Sequence, residues 1–431
     1  MFVYYVELAL RSLTRNKVVT VLMIMTLALG IGASIATLTL FNLLSGDPIP
    51  EKSGKLFYPQ IDPRMTQADG DEIPNLMTYT DAMNLLRANR AERQVVTALT
   101  WTKVKQNAAE SHPFFTAALM TTTDFFPMFD TPFRYGGGWS RVDEERREPV
   151  VVIGDQLNEK LFKGDNSVGQ VLRIGDHDFR IVGVLKPWSL QPRFYTSLLG
   201  SRNYGDGTSM FLPLFTARAD LMSPVSVNCF DASADTTKLE SAGCLWLGFW
   251  AELPSESAVK DYKAFLNNYV REQIALGRMR RSTFELRDVM QWLRYIHVVP
   301  DNVRVQTGLA FGFLLICIVN TVGLLLSKCL RRSQEIGVRR ALGASRKAIF
   351  AQFMVEASII GVAGGVLGLV FAELGVWGIR HQPAEYAKLA HLDLGMFAFT
   401  FVMALVASLL AGIVPAWRAS VLAPSLQLKS T

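Results

Sequence analysis

The sequence predicts a helical membrane protein: four transmembrane helices, with one large α+β domain outside the cytoplasm inserted between the first and second. Three observations carry this. Half of the 431 residues are apolar and the mean hydropathy is positive, +0.21, too apolar for an ordinary soluble chain of this length. The apolar residues concentrate in one block near the N-terminus and three beyond residue 305, with a polar stretch of mixed character between them. Lysine and arginine crowd into only one of the two short segments that separate the later blocks.

Residues 1–17 form a cytoplasmic N-terminal segment carrying Arg11, Arg15 and Lys17. The first block, 18–44, holds no charged residue. At about 1.5 Å per residue it exceeds the roughly 30 Å hydrocarbon core, and it is longer than the apolar part of a cleaved signal peptide. It reads as an uncleaved anchor. The second span is 305–327, the third 349–379 and the fourth 394–417, leaving a tail at 418–431.

Orientation follows from the positive-inside rule, which counts lysine and arginine in short loops. Segment 328–348 holds Lys328, Arg331, Arg332, Arg339, Arg340, Arg346 and Lys347 against Glu335 alone, so it is cytoplasmic. Loop 380–393 holds only Arg380 and Lys388 of these types and falls outside, together with 45–304. The net charge of +6 therefore reads as membrane orientation and contact with lipid head groups, and no nucleic-acid partner is expected.

Within 45–304, a helix is expected over 81–92 and strands over 95–101 and 114–121. A strand at 150–153 leads into a helix at 155–162. A hairpin follows, 171–174 and 179–185, around the polar turn 175–178. Residues 187–209 read as a long surface loop or an insertion, 245–253 as a strand, and 256–276 and 284–295 as helices running into the second span. Cys229 and Cys244 are the pair that topology exposes to an oxidising compartment; a bridge would close a loop of about 15 residues.

Inside the membrane, Ala28, Gly32 and Ala36 in the first span, and Gly361, Gly364, Gly365 and Gly368 in the third, give small-residue spacings that favour close helix packing. Glu356 and Glu373 are about 26 Å apart on a helix and are expected to snorkel towards opposite interfaces. Asn320 and Thr321 are read as interhelical hydrogen-bonding groups. Across 338–349, Val338, Ala341, Leu342, Ser345, Ala348 and Ile349 make an apolar stripe beside a basic one of Arg339, Arg340, Arg346 and Lys347, on a helix or two short helices broken near Gly343. No GxxxxGK[ST] phosphate loop, HExxH or GxSxG occurs. No catalytic residue, cofactor or metal site is expected in the chain.

Three stretches then resemble a known family. VVVIGDQLNEKLFKGDNSVGQVLRIGDHDFRIVGVLKPW (Val150–Trp188) resembles the core of the MacB-type periplasmic domain. RRSQEIGVRRALGASRKAIFAQFMVEA (Arg331–Ala357) is similar to the signature of the MacB/FtsX permeases, through Glu335, Ile336, Gly337, Arg339, Arg340, Ala341, Leu342, Gly343 and Ala344; PAWRASVLAPSLQLK (Pro415–Lys429) resembles their ending. The resemblance implies a stand-alone, non-catalytic permease subunit of an ABC transporter in the bacterial inner membrane. ATP and Mg would be bound by a separate cytoplasmic ATPase, and 335–344 would couple the two. It also implies a second permease copy or a paralogue, with a periplasmic adaptor and outer-membrane protein as further partners. Work would be done by mechanotransmission, moving the periplasmic domain to export or extract a substrate. The alternatives within the same family are an FtsX-like regulator of a cell-wall hydrolase and a lipoprotein-extraction permease.

Overall fold

The computed structural model describes residues 2–65, 72–106, 112–196, 203–205, 207–220, 222–230, 234–382 and 386–421. Parts of the 187–209 loop and the family-like ending from 422 onward lie outside the described residues. Helices α1 (Phe2–Arg15) and α2 (Lys17–Ser45) come first. After them run β1 (Leu56–Ile61), β2 (Met77–Thr78), α3 (Tyr79–Ala88), β3 (Arg93–Gln106), β4 (Phe114–Thr121), α4 (Phe125–Met128), β5 (Phe133–Gly136), α5 (Arg141–Glu145), β6 (Val150–Ile153), α6 (Asp155–Phe162), β7 (Val171–Ile174) and β8 (His177–Leu185). Then come β9 (Met210–Pro213), α7 (Leu214–Ala219), β10 (Asn228–Cys229), β11 (Cys244–Glu252), α8 (Glu256–Ala275), β12 (Phe284–Asp288) and α9 (Val289–Tyr295). Helices α10 (Asp301–Arg331), α11 (Ser333–Ala341), α12 (Arg346–Arg380) and α13 (Leu394–Val421) follow. The chain divides into two units, Met1–Gly46 with Val299–Thr431, and Asp47–Val298.

The first unit is helical, and among the described residues α2, α10, α12 and α13 are long and apolar enough to span a membrane. Glycine lets their backbones approach. Gly364 and Gly368 of α12 face Leu27 and Ile31 of α2, while Gly361 and Gly365 face Ser408 and Ala404 of α13. The two i, i+4 glycine pairs therefore serve two different neighbours, which places α12 between α2 and α13. Gly32 of α2 is closed by α12 in turn, since a Cβ there would come 2.6 Å from the Phe371 Cβ. Ala28 and Ala36 are buried on the same helix, and a Cβ at Gly375 would stand 2.9 Å from that of Ala36. Thr321 bonds back to the Cys317 carbonyl of its own helix at 2.8 Å, and Asn320 is exposed, so neither bonds across helices as expected.

The second unit is a mixed sheet flanked by helices. Its main path is β12-β1-β11-β3-β4-β9-β6-β8-β5, with β2 and β10 added to β11. Strand β7 pairs with both β3 and β8, which closes β3, β4, β9, β6, β8 and β7 into a ring. Closure removes the free edges these strands would otherwise carry. Val104, Ala118, Met120, Val151, Ile153, Leu172, Ile174, Ile181 and Met210 from the ring belong to one buried core. In β3 the burial is continuous up to Thr100 and then alternates, Trp101, Lys103 and Lys105 pointing out, as the strand passes from two covered faces to one.

Cys229 and Cys244 stand opposite each other where β10 pairs with β11, and they are bonded as a disulfide.

Two expectations in this unit need correction. Residues 284–295 are not one helix: Phe284–Asp288 is the edge strand β12, paired with β1, and Asp288 with Gln291 forms a capping box that starts α9 only at Val289. Segment 187–209 does not lie wholly on the surface, because among its described residues Phe194, Tyr195 and Tyr204 are fully buried. Tyr195 packs against Phe125, Phe129 and Trp188, and Phe194 against Trp250. The proline and glycine that suggested a loop accompany aromatics that belong to the core.

Candidate functional site at the hinge between the second and third membrane helices

Helix α11 is short because its C-terminal end is specified and the next helix starts directly after it. At its C-terminus Gly343 has φ +100°, the Gly343 N–H donates to the Arg340 carbonyl at 3.1 Å, and the Ala344 N–H donates to that of Arg339 at 3.0 Å. This is a Schellman motif with glycine at the position of positive φ. Ser345 then starts α12, its hydroxyl accepting from the Ala348 N–H at 3.2 Å. The predicted stripe over 338–349 is thereby split between two helices. Ile349 and Ile336 pack with Phe353, Cys329, Ala416 and Ala419. Val338 and Leu342 point away, 53% and 83% exposed, with Ala341 and Gly343 also exposed.

Charge organises the other side of α11. Glu335 bonds Arg339 at 2.7 Å and lies 3.9 Å from both Arg15 and Arg332. Arg339 also donates to Gln352 Oε1 at 3.2 Å, tying α11 to α12. Gly337, Arg340 and Ala344 are partly exposed on the same short segment. Arg346 and Lys347 are exposed in the first turn of α12, which contains no acidic residue. Cations there sit at the positive end of the helix dipole, an arrangement that an anionic surface relieves.

Sequence reasoning missed the residues beneath this hinge. Glu356 does not snorkel: it is buried with Lys328, which pairs with its Oε1, and Ser12 Oγ donates to the same oxygen at 2.8 Å. Arg332 Nη1 donates to Ser12 Oγ. The available signal was an ionisable residue inside an apolar helix with a lysine at the end of the preceding one, which predicts a pair. Glu373, by contrast, is half-exposed and pairs with Arg380 at 3.3 Å.

This fold and hinge define a multi-pass helical membrane protein with a large domain inserted between its first two spans. The sequence model of the MacB-like periplasmic core domain matches residues 20–260, and that of the FtsX-like permease C-terminal region matches 307–424, which includes the hinge. The chain belongs to the MacB/FtsX family of ABC transporter permeases. It is 22% identical over 426 residues to the macrolide export ATP-binding/permease protein MacB of Acinetobacter baylyi, covering 97% of this chain and 58% of that protein. It is 25% identical over 309 residues to the pyoverdine export ATP-binding/permease protein PvdT of Pseudomonas entomophila, covering 71% and 42%. The chain thus spans about half the length of the curated relatives it matches. The periplasmic region of MacB from Actinobacillus actinomycetemcomitans aligns with 56% of this chain and 91% of its own, at 12% identity and a TM-score of 0.37.

Proposed function

We propose that this chain is a permease subunit that works by mechanotransmission in a bacterial inner membrane. An ATPase carried by a partner chain, binding ATP and Mg there, closes against α11 and α12. The displacement passes along the membrane helices and moves the periplasmic domain, which exports or extracts a substrate already outside the cytoplasm. A second permease copy or a paralogue completes the assembly, and a periplasmic adaptor with an outer-membrane protein receives the substrate.

The observation that carries this reading is the exposed apolar pair Val338 and Leu342, one helical turn apart, beside Arg346 and Lys347 at an uncompensated helix N-terminus. Large apolar side chains next to cations fit a groove with an apolar floor and an acidic rim. The sequence contains no phosphate-binding loop, and the relatives of which it covers about half are ATP-binding/permease proteins by name. The test is a cysteine cross-link from Leu342→Cys in native membranes. The proposal expects one adduct with a nucleotide-binding protein, its yield changing with ATP. A Leu342→Cys chain that forms none, while a lipid-facing control such as Leu309→Cys behaves identically, overturns it.

A further inference from the structure

Glu356 lies about 15 Å along α12 from Arg346. It and Lys328 are 1% and 2% exposed, which makes theirs a fully buried ion pair. Such pairs are poor sources of stability, because apolar residues of similar volume do as well or better; where they persist, fixing one arrangement of elements is their best-attested use. Here Glu356 Oε2 is buried with no hydrogen-bond partner among the described residues. What the site does is join elements. Glu356 belongs to α12, Lys328 to the end of α10 and Ser12 to α1, while Arg332, immediately before α11, donates to Ser12. Helix α1 has a second tie, Arg15 to Glu335 of α11 at 3.9 Å. Beside these polar ties, Ala9 and Leu13 of α1 are buried.

We infer that Ser12, Lys328 and Glu356 clamp α1 to the base of α11, so that α1, the end of α10 and the first turns of α12 move as one body when the hinge is displaced. Helix α1 is then a working strut of the drive and not merely the lead into the first span. The three residues are positioning residues, and the inference rests on the coupling role proposed for α11.

The experiment uses the full chain in lipid nanodiscs. By hydrogen exchange, Ser12→Ala speeds exchange of the α1 amides about tenfold, the loss of one buried charge-assisted hydrogen bond, without changing the middle of α12. The Lys328→Met, Glu356→Leu double variant removes the clamp without stranding a buried charge; it folds and loosens α1 to the same extent. Unchanged α1 exchange in both overturns the clamp. A second readout, which a merely structural role leaves still, uses spin labels at the exposed positions Leu10→Cys and Gln334→Cys with the ATPase bound. A non-hydrolysable ATP analogue shifts both labels together in the otherwise wild-type chain. With Ser12→Ala the interlabel distance broadens while ATP hydrolysis continues. If the label at 334 moves and that at 10 does not, the strut is wrong and the coupling reading survives. If neither moves although α1 is protected, the coupling reading has failed, and with it the inference.

Discussion

Leu342→Ala measures the hinge as a docking element. The substitution removes three carbon atoms from a side chain 83% exposed in this chain, which therefore has nearly all of its apolar surface left to bury. At about 0.8 kcal/mol per buried methylene-sized group, scaled by that exposure, the loss is about 2 kcal/mol, or about 30-fold in the dissociation constant for the ATPase. Val338→Ala removes two carbons from a residue 53% exposed, which by the same conversion is worth about fourfold. The chain's own stability changes little in either case, because both side chains are more than half exposed in the free protein. The assay is titration of the purified ATPase against the full chain in nanodiscs, with thermal unfolding as the fold control. Two equal, negligible effects would refute the reasoning, and so would the larger effect falling on Val338.

Three further substitutions probe other parts of the account. Gly343→Ala places a Cβ in open space but on a backbone with φ +100°; it costs about 1–2 kcal/mol of conformational strain and frays the last turn of α11 in hydrogen exchange, an effect that Gly343→Asn partly avoids. Gly32→Val drives a side chain into Phe371 and the α12 backbone; separation of α2 from α12 lowers stability by about 1–3 kcal/mol, read as a drop in thermal midpoint in detergent. In the periplasmic domain, burial holds the Glu144 carboxyl above its usual range, opposed by hydrogen bonds from Thr123. A raised folded-state value stabilises the protonated form, so the native carboxyl's contribution is intact at acid pH and lost as pH rises through the folded value. Glu144→Gln therefore raises the thermal midpoint at pH 7 and has no effect below about pH 4, where the carboxyl is protonated folded or unfolded.

What could be read from the residues alone depended on how local the signal was. The spans are runs of one solvent preference, and the break near Gly343 is specified by glycine and serine within the break itself, so pattern and spacing reached both. The strand Phe284–Asp288 was misread because a single edge strand of five residues is defined by its partner β1, distant in sequence, and not by its own periodicity. Residues 187–209 carry turn-forming types, yet Phe194 and Tyr195 lie in an aromatic core whose other members come from α4, β9 and β11. Ser12, Lys328 and Glu356 escaped for the same reason: a buried ion pair is a tertiary fact, visible only when α1, α10 and α12 are brought together. The apolar stripe over 338–349 was real as a pattern, but the turn at Gly343 divides it into one buried part and one exposed part.

The proposed function requires the hinge and the inserted domain to face opposite sides of the membrane. The native thiols give little background to a thiol-labelling test, because Cys229 and Cys244 are bonded to each other and Cys317 and Cys329 are buried. A membrane-impermeant maleimide added to intact spheroplasts should label Asp176→Cys, in the turn between β7 and β8, and should label Leu342→Cys only after permeabilisation. Labelling of position 342 from outside, or protection of position 176 until the membrane is opened, contradicts the account.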